Sequence, residues 1–180
     1  MSEDVPVINR VLDGDVDAFA LLVERYQRPV LGFVRNMLSN PHDGEDVAQD
    51  AFLAAYRNLA GFDPRRASFA TWLFTIARNL CLNALKRKSP IFLPQTPPAA
   101  AGRTPPDDLE EKEFFECLDR GLQALPVAQR TVFVLAEFVG LSGDDIARIE
   151  DVPVGTVRSR LSRAKETLRS VLREYAGEDG

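Results

Sequence analysis

Two short helical patterns that meet at a tight turn, between Leu141 and Arg169, constrain the fold of this chain more than any other feature. Ser142, followed three residues later by Asp145, is typical of a capped helix start. The segment 150–153, Glu-Asp-Val-Pro, ends that helix, because Asp tolerates a left-handed backbone and proline suits the first turn of a new helix. The next helix carries one apolar stripe, formed by Val157, Leu161, Ala164, Leu168 and Leu172.

The other faces of this second helix are strongly basic. Between Val157 and Arg173 it has six cations against Glu166 alone, a balance of +5. Its N-terminal half, the part that a helix-turn-helix inserts into the DNA major groove, carries Thr156, Arg158, Ser159, Ser162 and Arg163. Arginine suits guanine edges and phosphates, and serine suits either. A solvated surface helix would also be basic, but the tight turn and the small Ala147 favour DNA recognition.

The composition indicates a globular, helical protein. The chain has 180 residues, enough for one medium domain or two small ones, and 45% of them are hydrophobic. Sustained apolar alternation and Asn-Gly hairpin turns, the signals of strands, are missing, so we expect an all-α fold. No stretch approaches a transmembrane span and Met-Ser-Glu-Asp is no signal peptide, so we expect a cytoplasmic protein without membrane insertion.

The sequence contains few residues that could form a disulfide, bind a metal or perform catalysis. Cys81 and Cys117 each lie in an apolar helical pattern, which predicts buried thiols and no disulfide. His42 is the single histidine, and the sequence has neither a nucleotide-binding loop nor an acid pair with metal-ligand spacing. We therefore expect no catalytic residues, no metal, no cofactor and no small-molecule substrate.

Charge is unevenly distributed along the chain. The net charge is −5, which is unusual for a DNA-binding protein. Residues 65–88 nevertheless contain six basic side chains and no acid, whereas residues 107–119 contain seven acids and one lysine. Such a chain should bind DNA weakly by itself and need a partner to hold it there.

The segment 43–62 predicts a helix with one apolar and one polar face. Its buried stripe comprises Val47, Ala51, Phe52, Ala55, Tyr56 and Leu59. Asp46, Gln49, Asp50 and Leu53 point away from that stripe. Acids near a helix start are favoured by the helix dipole, which is sufficient to explain Glu45.

A basic helix follows over 69–88, with Ser68 as its cap. Its inward residues are Phe69, Leu73, Ile76, Ala77, Leu80 and Ala84, and its outward residues are Arg78, Asn79, Asn83, Lys86 and Arg87. Together with Trp72 and the basic loop at Arg65 and Arg66, the amides suit single-stranded DNA, whose bases can be flipped out and read. Trp72 also lies near the apolar stripe, which is compatible with a place in the core.

Three segments, in this order, closely resemble bacterial extracytoplasmic-function (ECF) sigma factors. They are DGEDVAQDAFLAAYRNLAGF, FATWLFTIARNLCLNALKRK, and PVGTVRSRL preceded by LPVAQRTVFVL and LSGDDIA. The last segment alone would also fit the helix-turn-helix of a response regulator. The resemblance implies a non-enzymatic protein that binds core RNA polymerase, directs promoter-specific transcription initiation and is held inactive by an anti-sigma factor.

The resemblance also implies roles for individual residues. It implies contacts with the clamp helices of core RNA polymerase for Asp46, Gln49, Asp50 and Leu53. Contacts with the melted minus-ten strand fall to Arg65, Arg66, Phe69, Trp72, Arg78, Asn79, Asn83 and Lys86. Contacts with the minus-thirty-five duplex fall to Arg130, Thr156, Arg158, Ser159, Ser162 and Arg163, with Arg130 on phosphate. Family members usually carry Asp at the position of Asn83, a difference that bears on base preference.

The proline-rich segment 89–106 is expected to be a flexible linker. It divides the chain into two small helical domains, 1–88 and 107–176, of which the second contains the helix-turn-helix. The apolar triplet Ile91-Phe92-Leu93 within it is expected to pack on the first domain, with docking inside the polymerase as the alternative.

Two other classes of protein stay open from the sequence. A sigma mimic that only binds an anti-sigma factor would be expected to lose the arginine-rich faces that this chain keeps. A stand-alone helix-turn-helix regulator would leave Asp46, Gln49, Asp50 and the Trp72 helix unexplained.

Overall fold

The computed structural model describes residues 3–38, 40–88 and 109–176, with only the backbone described at 41–42, 88, 109–112 and 174–176. These ranges contain eight α-helices and no strand, which confirms the predicted all-α fold. The helices are α1 (Asp4–Leu12), α2 (Phe19–Met37), α3 (Pro41–Arg57), α4 (Phe69–Lys88), α5 (Leu109–Ala124), α6 (Val127–Phe133), α7 (Gly143–Glu150) and α8 (Val154–Ala176). The predicted linker 89–106, with Ile91-Phe92-Leu93, lies outside the described residues.

The N-terminal domain consists of α1 to α4. Helix α2 packs against α3 and α4, and α3 packs against α4. Phe33 of α2 and Phe74 of α4 are fully buried and meet edge to face, with their ring centroids 5.6 Å apart. Burial of one such side chain contributes about 1.5–3 kcal/mol, so this contact fixes the two helices firmly.

Helix α1 is fastened to α2 by a buried carboxylate. The Asp4 side chain accepts hydrogen bonds from Arg25 and, over 2.8 Å, from the hydroxyl of Tyr26. Burial raises the pKa of Tyr26, and the hydrogen bond to Asp4 adds to that shift. Because a buried carboxylate requires such partners, this cluster holds the start of the chain in one position.

The C-terminal domain consists of α5 to α8, with α8 packed against α5, α6 and α7. Ser142 caps α7 by accepting a hydrogen bond of 3.1 Å from the backbone amide of Asp145, as predicted. Asp151 adopts a left-handed backbone (φ 53°) at the turn between α7 and α8, also as predicted. Helix α6 continues directly into a π-helical turn, Val134–Phe138.

Both cysteines are buried free thiols, which confirms the prediction for them. Burial raises the pKa of the Cys81 thiol to about 12. In the parts of the chain that the structure describes, no helix has the length and apolar character needed to cross a membrane.

The two domains lie in direct contact. Helix α4 packs against α7, and α2 packs against α5, α6 and the π-helical turn. Buried apolar side chains from both domains belong to one continuous cluster. The sequence predicted two domains on a tether and gave no sign of this packing.

Candidate nucleic-acid and protein interfaces

The outer face of α3 is acidic with an apolar end. Asp46, Gln49, Asp50 and Leu53 are all exposed, and their spacing places them on one side of the helix. Leu53 leaves 44% of its surface accessible. Exposed carboxylates beside an exposed leucine can bind a basic protein surface that also has an apolar patch.

Two neighbours of this face differ from the sequence interpretation. Tyr56, expected in the buried stripe, is exposed, and its ring meets that of Phe19 in a T-shaped contact with the centroids 5.1 Å apart. Glu45 forms an ion pair of 2.7 Å with Arg35 of α2. Its contribution is therefore a link between α2 and α3, in addition to any interaction with the helix dipole.

The loop before α4 presents two exposed arginines. The backbone amide and the guanidinium of Arg65 both donate to the carboxylate of Asp63, over 3.0–3.1 Å. These hydrogen bonds lower the pKa of Asp63. Arg65 nevertheless keeps 90% of its side chain exposed, and Arg66 is exposed beside it. The loop therefore offers positive charge to an approaching backbone phosphate.

Phe69 is a correction to the predicted minus-ten residues. It is fully buried, because its ring packs between those of Tyr26, Phe62 and Trp72 at centroid distances of 5.5–5.8 Å. A base cannot reach it in this conformation. Trp72 is half-buried against the same cluster. Its indole packs on the ring of Phe69, and part of the indole stays accessible.

The remaining polar residues of α4 divide into two groups. Asn79, Asn83 and Lys86 are exposed and lie along one side of the helix, in line with Trp72. Arg78 is half-buried instead. Its Nε donates to Glu150 over 2.9 Å, and its Nη1 donates to the side-chain oxygen of Asn79 over 3.1 Å.

The start of α8 carries the predicted duplex-reading face. Arg158, Ser159, Ser162 and Arg163 are exposed, and Thr156 is half-buried next to them. The hydroxyl of Ser159 donates to the carbonyl oxygen of Thr156 over 3.0 Å. The capped start of α7 and the left-handed turn at Asp151 fix the direction of this face.

Arg130 is the second correction. It is 5% exposed and donates hydrogen bonds to the carbonyl oxygens of Met37, Gln123 and Leu125 and to the Gln123 side chain, over 2.5–3.3 Å. Burial lowers its pKa. A phosphate contact is out of its reach in this conformation, so the structure contradicts the role predicted for it.

Sequence reasoning missed two residues at the contact between the domains. Glu150 was assigned only to the turn, but it is buried between Arg78 and Arg160. Thr71 is buried too, and its hydroxyl donates to Asp145 over 3.0 Å. The only sign in the local sequence that Glu150 would be buried was that it directly follows an apolar residue of the helix.

Comparison with known proteins agrees with this arrangement. Residues 22–91 match the family model of sigma-70 region 2, and residues 115–168 match that of sigma-70 region 4. The two helical domains and the basic helix-turn-helix therefore define a transcription initiation factor of the sigma-70 type. More narrowly, the chain belongs to the ECF family of RNA polymerase sigma factors, as its curated relatives show.

Three relatives cover nearly the whole chain. The ECF sigma factor SigW of Bacillus subtilis is 36% identical, over 93% of this chain and 95% of that protein. The sigma-H factor of Pseudomonas aeruginosa is 37% identical, over 94% of each chain. The ECF sigma-E factor of Escherichia coli K12 is 37% identical, over 92% of each chain.

Two solved structures are also similar. CnrH, in complex with the cytosolic domain of CnrY, has a TM-score of 0.76 at 26% identity and covers 96% of this chain and 99% of CnrH. The sigma factor RpoE of Bartonella quintana, in complex with the anti-sigma factor NepR, has a TM-score of 0.72 at 24% identity, over 86% of this chain and 96% of RpoE, and shows the shared fold.

These findings confirm the predicted class. The chain is a sigma factor that acts with core RNA polymerase and promoter DNA in transcription initiation, and its family is a non-catalytic one. A stand-alone regulator would not contain the region 2 domain.

Proposed function

We propose that the domain 1–88 binds core RNA polymerase and the melted minus-ten strand, and that the domain 107–176 reads the minus-thirty-five duplex. One observation carries this division of labour: three helices present three separate exposed faces. The face of α3 is acidic, that of α4 carries amides and positive charge, and that of α8 carries arginines and serines. Each has the chemistry that its proposed partner requires.

For polymerase binding, Asp46 and Asp50 form charge pairs with basic side chains of the clamp, and Gln49 adds a hydrogen bond. Leu53 contributes apolar area at the end of the same face. Charge complementarity of this kind speeds association and fixes the register of two protein surfaces.

For the minus-ten strand, Asn79 and Asn83 read flipped bases through their amides, and Trp72 provides a partly exposed ring for stacking. Arg65, Arg66 and Lys86 bind the backbone phosphates. Arg78 joins this surface only when it leaves Glu150. The amide of Asn83 both donates and accepts, whereas a carboxylate there would only accept, so the base preferred at this position should differ.

For the minus-thirty-five duplex, the N-terminal part of α8 enters the major groove. Arg158 and Arg163 contact base edges or phosphates, while Ser159, Ser162 and Thr156 contact either. A bidentate contact between arginine and guanine provides about 1–3 kcal/mol of discrimination.

The regulation we propose is inhibition by an anti-sigma factor. Its support is that RpoE, which has this fold, was solved in complex with the anti-sigma factor NepR. The protein acts in the cytoplasm, where polymerase and promoter DNA are found, and it catalyses no reaction of its own and needs no cofactor.

A gel-shift experiment with and without core RNA polymerase tests this function. Promoter sequences are first selected from a random DNA library by the reconstituted holoenzyme. The sigma factor should retard the selected duplex only when core polymerase is present. A mimic would retard it in neither case, and strong binding by the chain alone would contradict the proposal.

A further inference from the structure

Asp4, the first residue of α1, is a buried carboxylate that belongs to none of the three binding faces proposed above. Its side chain is 4% exposed. One carboxylate oxygen accepts a hydrogen bond from Arg25 of α2, and the other accepts from the hydroxyl of Tyr26 over 2.8 Å. A charged group is costly to bury, and these two donors stabilise it. The Tyr26 hydroxyl is therefore held at one point, which fixes the direction of its ring.

The ring of Tyr26 is the first in a series of packed rings. It lies against the fully buried Phe69, with the ring centroids 5.5 Å apart. Phe69 in turn meets the indole of Trp72 at a centroid distance of 5.8 Å. Tilted pairs at these distances are favourable aromatic contacts. Two ring contacts thus connect the residue held by Asp4 to the partly exposed indole.

Helix α1 also lies beside the second support of the indole. It packs against the short helical turn Leu59–Gly61, which directly precedes Phe62. The ring of Phe62 meets that of Trp72 at a centroid distance of 5.5 Å and that of Phe69 at 5.8 Å. Two rings therefore hold the indole, and α1 braces both of them. Because a protein interior is close-packed, a displacement of α1 is transmitted to the indole.

We propose that Asp4 is a positioning residue for capture of the melted minus-ten strand. It fixes Tyr26 and, through Phe69, holds the indole of Trp72 in the orientation on which a flipped base stacks. A ring that is already ordered loses less freedom when a ligand binds, so a fixed indole binds a base more tightly than a mobile one. The role of the indole rests on the function proposed above, whereas its support by Asp4 rests on the packing of the free chain.

Fluorescence of the free, full-length chain tests the support of the indole, because Trp72 is its single tryptophan. Excitation at a wavelength that tyrosine does not absorb reports on this ring alone. Asp4→Asn removes the buried charge, whereas Tyr26→Phe removes only the hydroxyl and keeps the ring. Both variants should shift the emission of Trp72 to longer wavelengths and raise its acrylamide quenching constant, because a loosened indole meets more water.

Asp15→Asn is the matched control. Asp15 lies beyond the other end of α1 and also pairs with an arginine, Arg10, over 2.7 Å, but at the exposed surface. This variant should keep the parent's emission and quenching constant. Urea denaturation of all three variants separates the two possible effects. A general loss of stability moves only the unfolding midpoint, whereas a lost support changes the surroundings of Trp72 in the folded protein.

DNA binding by the reconstituted holoenzyme tests the consequence for the melted strand. The probe is the selected promoter as a fork, in which the non-template strand of the minus-ten element is single-stranded. Weaker stacking of one base should lower the affinity of Asp4→Asn and Tyr26→Phe for this fork about fivefold. Their affinity for the intact minus-thirty-five duplex and for core polymerase should equal the parent's. Trp72→Ala gives the reference loss for the indole itself.

Two results would overturn the positioning role. One is a folded Tyr26→Phe variant whose Trp72 emission and quenching equal the parent's, and this variant decides the matter if Asp4→Asn fails to fold, as judged by circular dichroism. The other is an altered indole with the parent's affinity for the fork while Trp72→Ala weakens it. Normal fork binding by Trp72→Ala would instead count against the function proposed for the indole, and its support by Asp4 would then stand or fall on the fluorescence.

Discussion

The guanidinium of Arg130 donates a hydrogen bond of 3.0 Å to the carbonyl oxygen of Met37, 93 residues away along the chain. A side chain of the C-terminal domain thus completes the end of a helix in the N-terminal domain. This relationship replaces the phosphate contact predicted for Arg130, and it has a consequence for stability.

Arg130→Ala should lower the free energy of unfolding by about 2–3 kcal/mol, because it leaves buried carbonyl groups without partners. Urea denaturation followed by circular dichroism measures this loss. Arg120→Ala, which removes an exposed arginine from α5, is the control and should change little. Equal stability of Arg130→Ala and the parent would show that the hydrogen bonds contribute nothing.

Local signals predicted much of this fold because they depend on residues close in sequence. Ser142 with Asp145 predicted the start of α7, and Asp151 predicted the left-handed turn, because caps and turns are determined by a few neighbouring residues. The acidic face of α3 and the arginines of α8 followed from helical spacing. Their roles in binding stay predictions.

The contact between the domains could not be predicted in the same way. Glu150 and Arg78 are 72 residues apart, and each alone looks like an ordinary surface charge. Phe69 was misassigned for a related reason. Its position next to a loop in the sequence does not reveal that the rings of Tyr26 and Phe62 bury it. Burial of these residues is a property of the packed chain.

Replacing Asp46 and Asp50 with alanine should weaken binding to core RNA polymerase at least tenfold while leaving helix content unchanged. Truncation of one partner in an interfacial charge pair commonly costs about 2–5 kcal/mol when the pair is buried. Competition for core against a labelled parent chain measures the effect. The Asp17→Ala, Glu24→Ala double variant removes the same charge from another exposed surface and should compete normally. Normal competition by the Asp46, Asp50 variant would show that α3 is misassigned.

The Cys81 thiol should make stability fall at high pH. In the folded protein its pKa is about 12, against 9.0 for an ordinary thiol. The unfolded chain therefore loses this proton first, so stability present below pH 9 declines as the pH rises from about 9 towards 12. Denaturation at pH 8 and pH 10.5 should show a smaller decline for Cys81→Ala than for the parent. Tyr26, whose pKa is also raised, contributes to the decline in both proteins. Identical declines would contradict the role of Cys81.

Asn79→Ala should impair opening of the promoter more than initial binding, because the amide is proposed to meet only unpaired bases. Permanganate footprinting reports the melted thymines, and a gel shift at low temperature reports the closed complex. Asn58→Ala removes an exposed amide of the same domain, which donates to the carbonyl oxygen of Ala54 near the end of α3, and it should leave both stages intact. Equal losses at the two stages would indicate that Asn79 supports the fold instead.

The two ends of α8 should respond differently to loss of an arginine. Arg158 and Arg163 lie near its start, whereas Arg173, exposed as well, lies about four turns beyond Arg158 and outside the reach of the groove. Removing a base contact should relax the sequence preference by about 1–3 kcal/mol at one position, whereas removing a phosphate contact lowers affinity evenly. Selection of bound duplexes by the holoenzyme from a random library, at one fixed salt concentration, separates these effects. We expect an altered consensus for Arg158→Ala or Arg163→Ala, and the parent consensus for Arg173→Ala. If both of the former variants keep the parent consensus, another face of α8 must read the DNA.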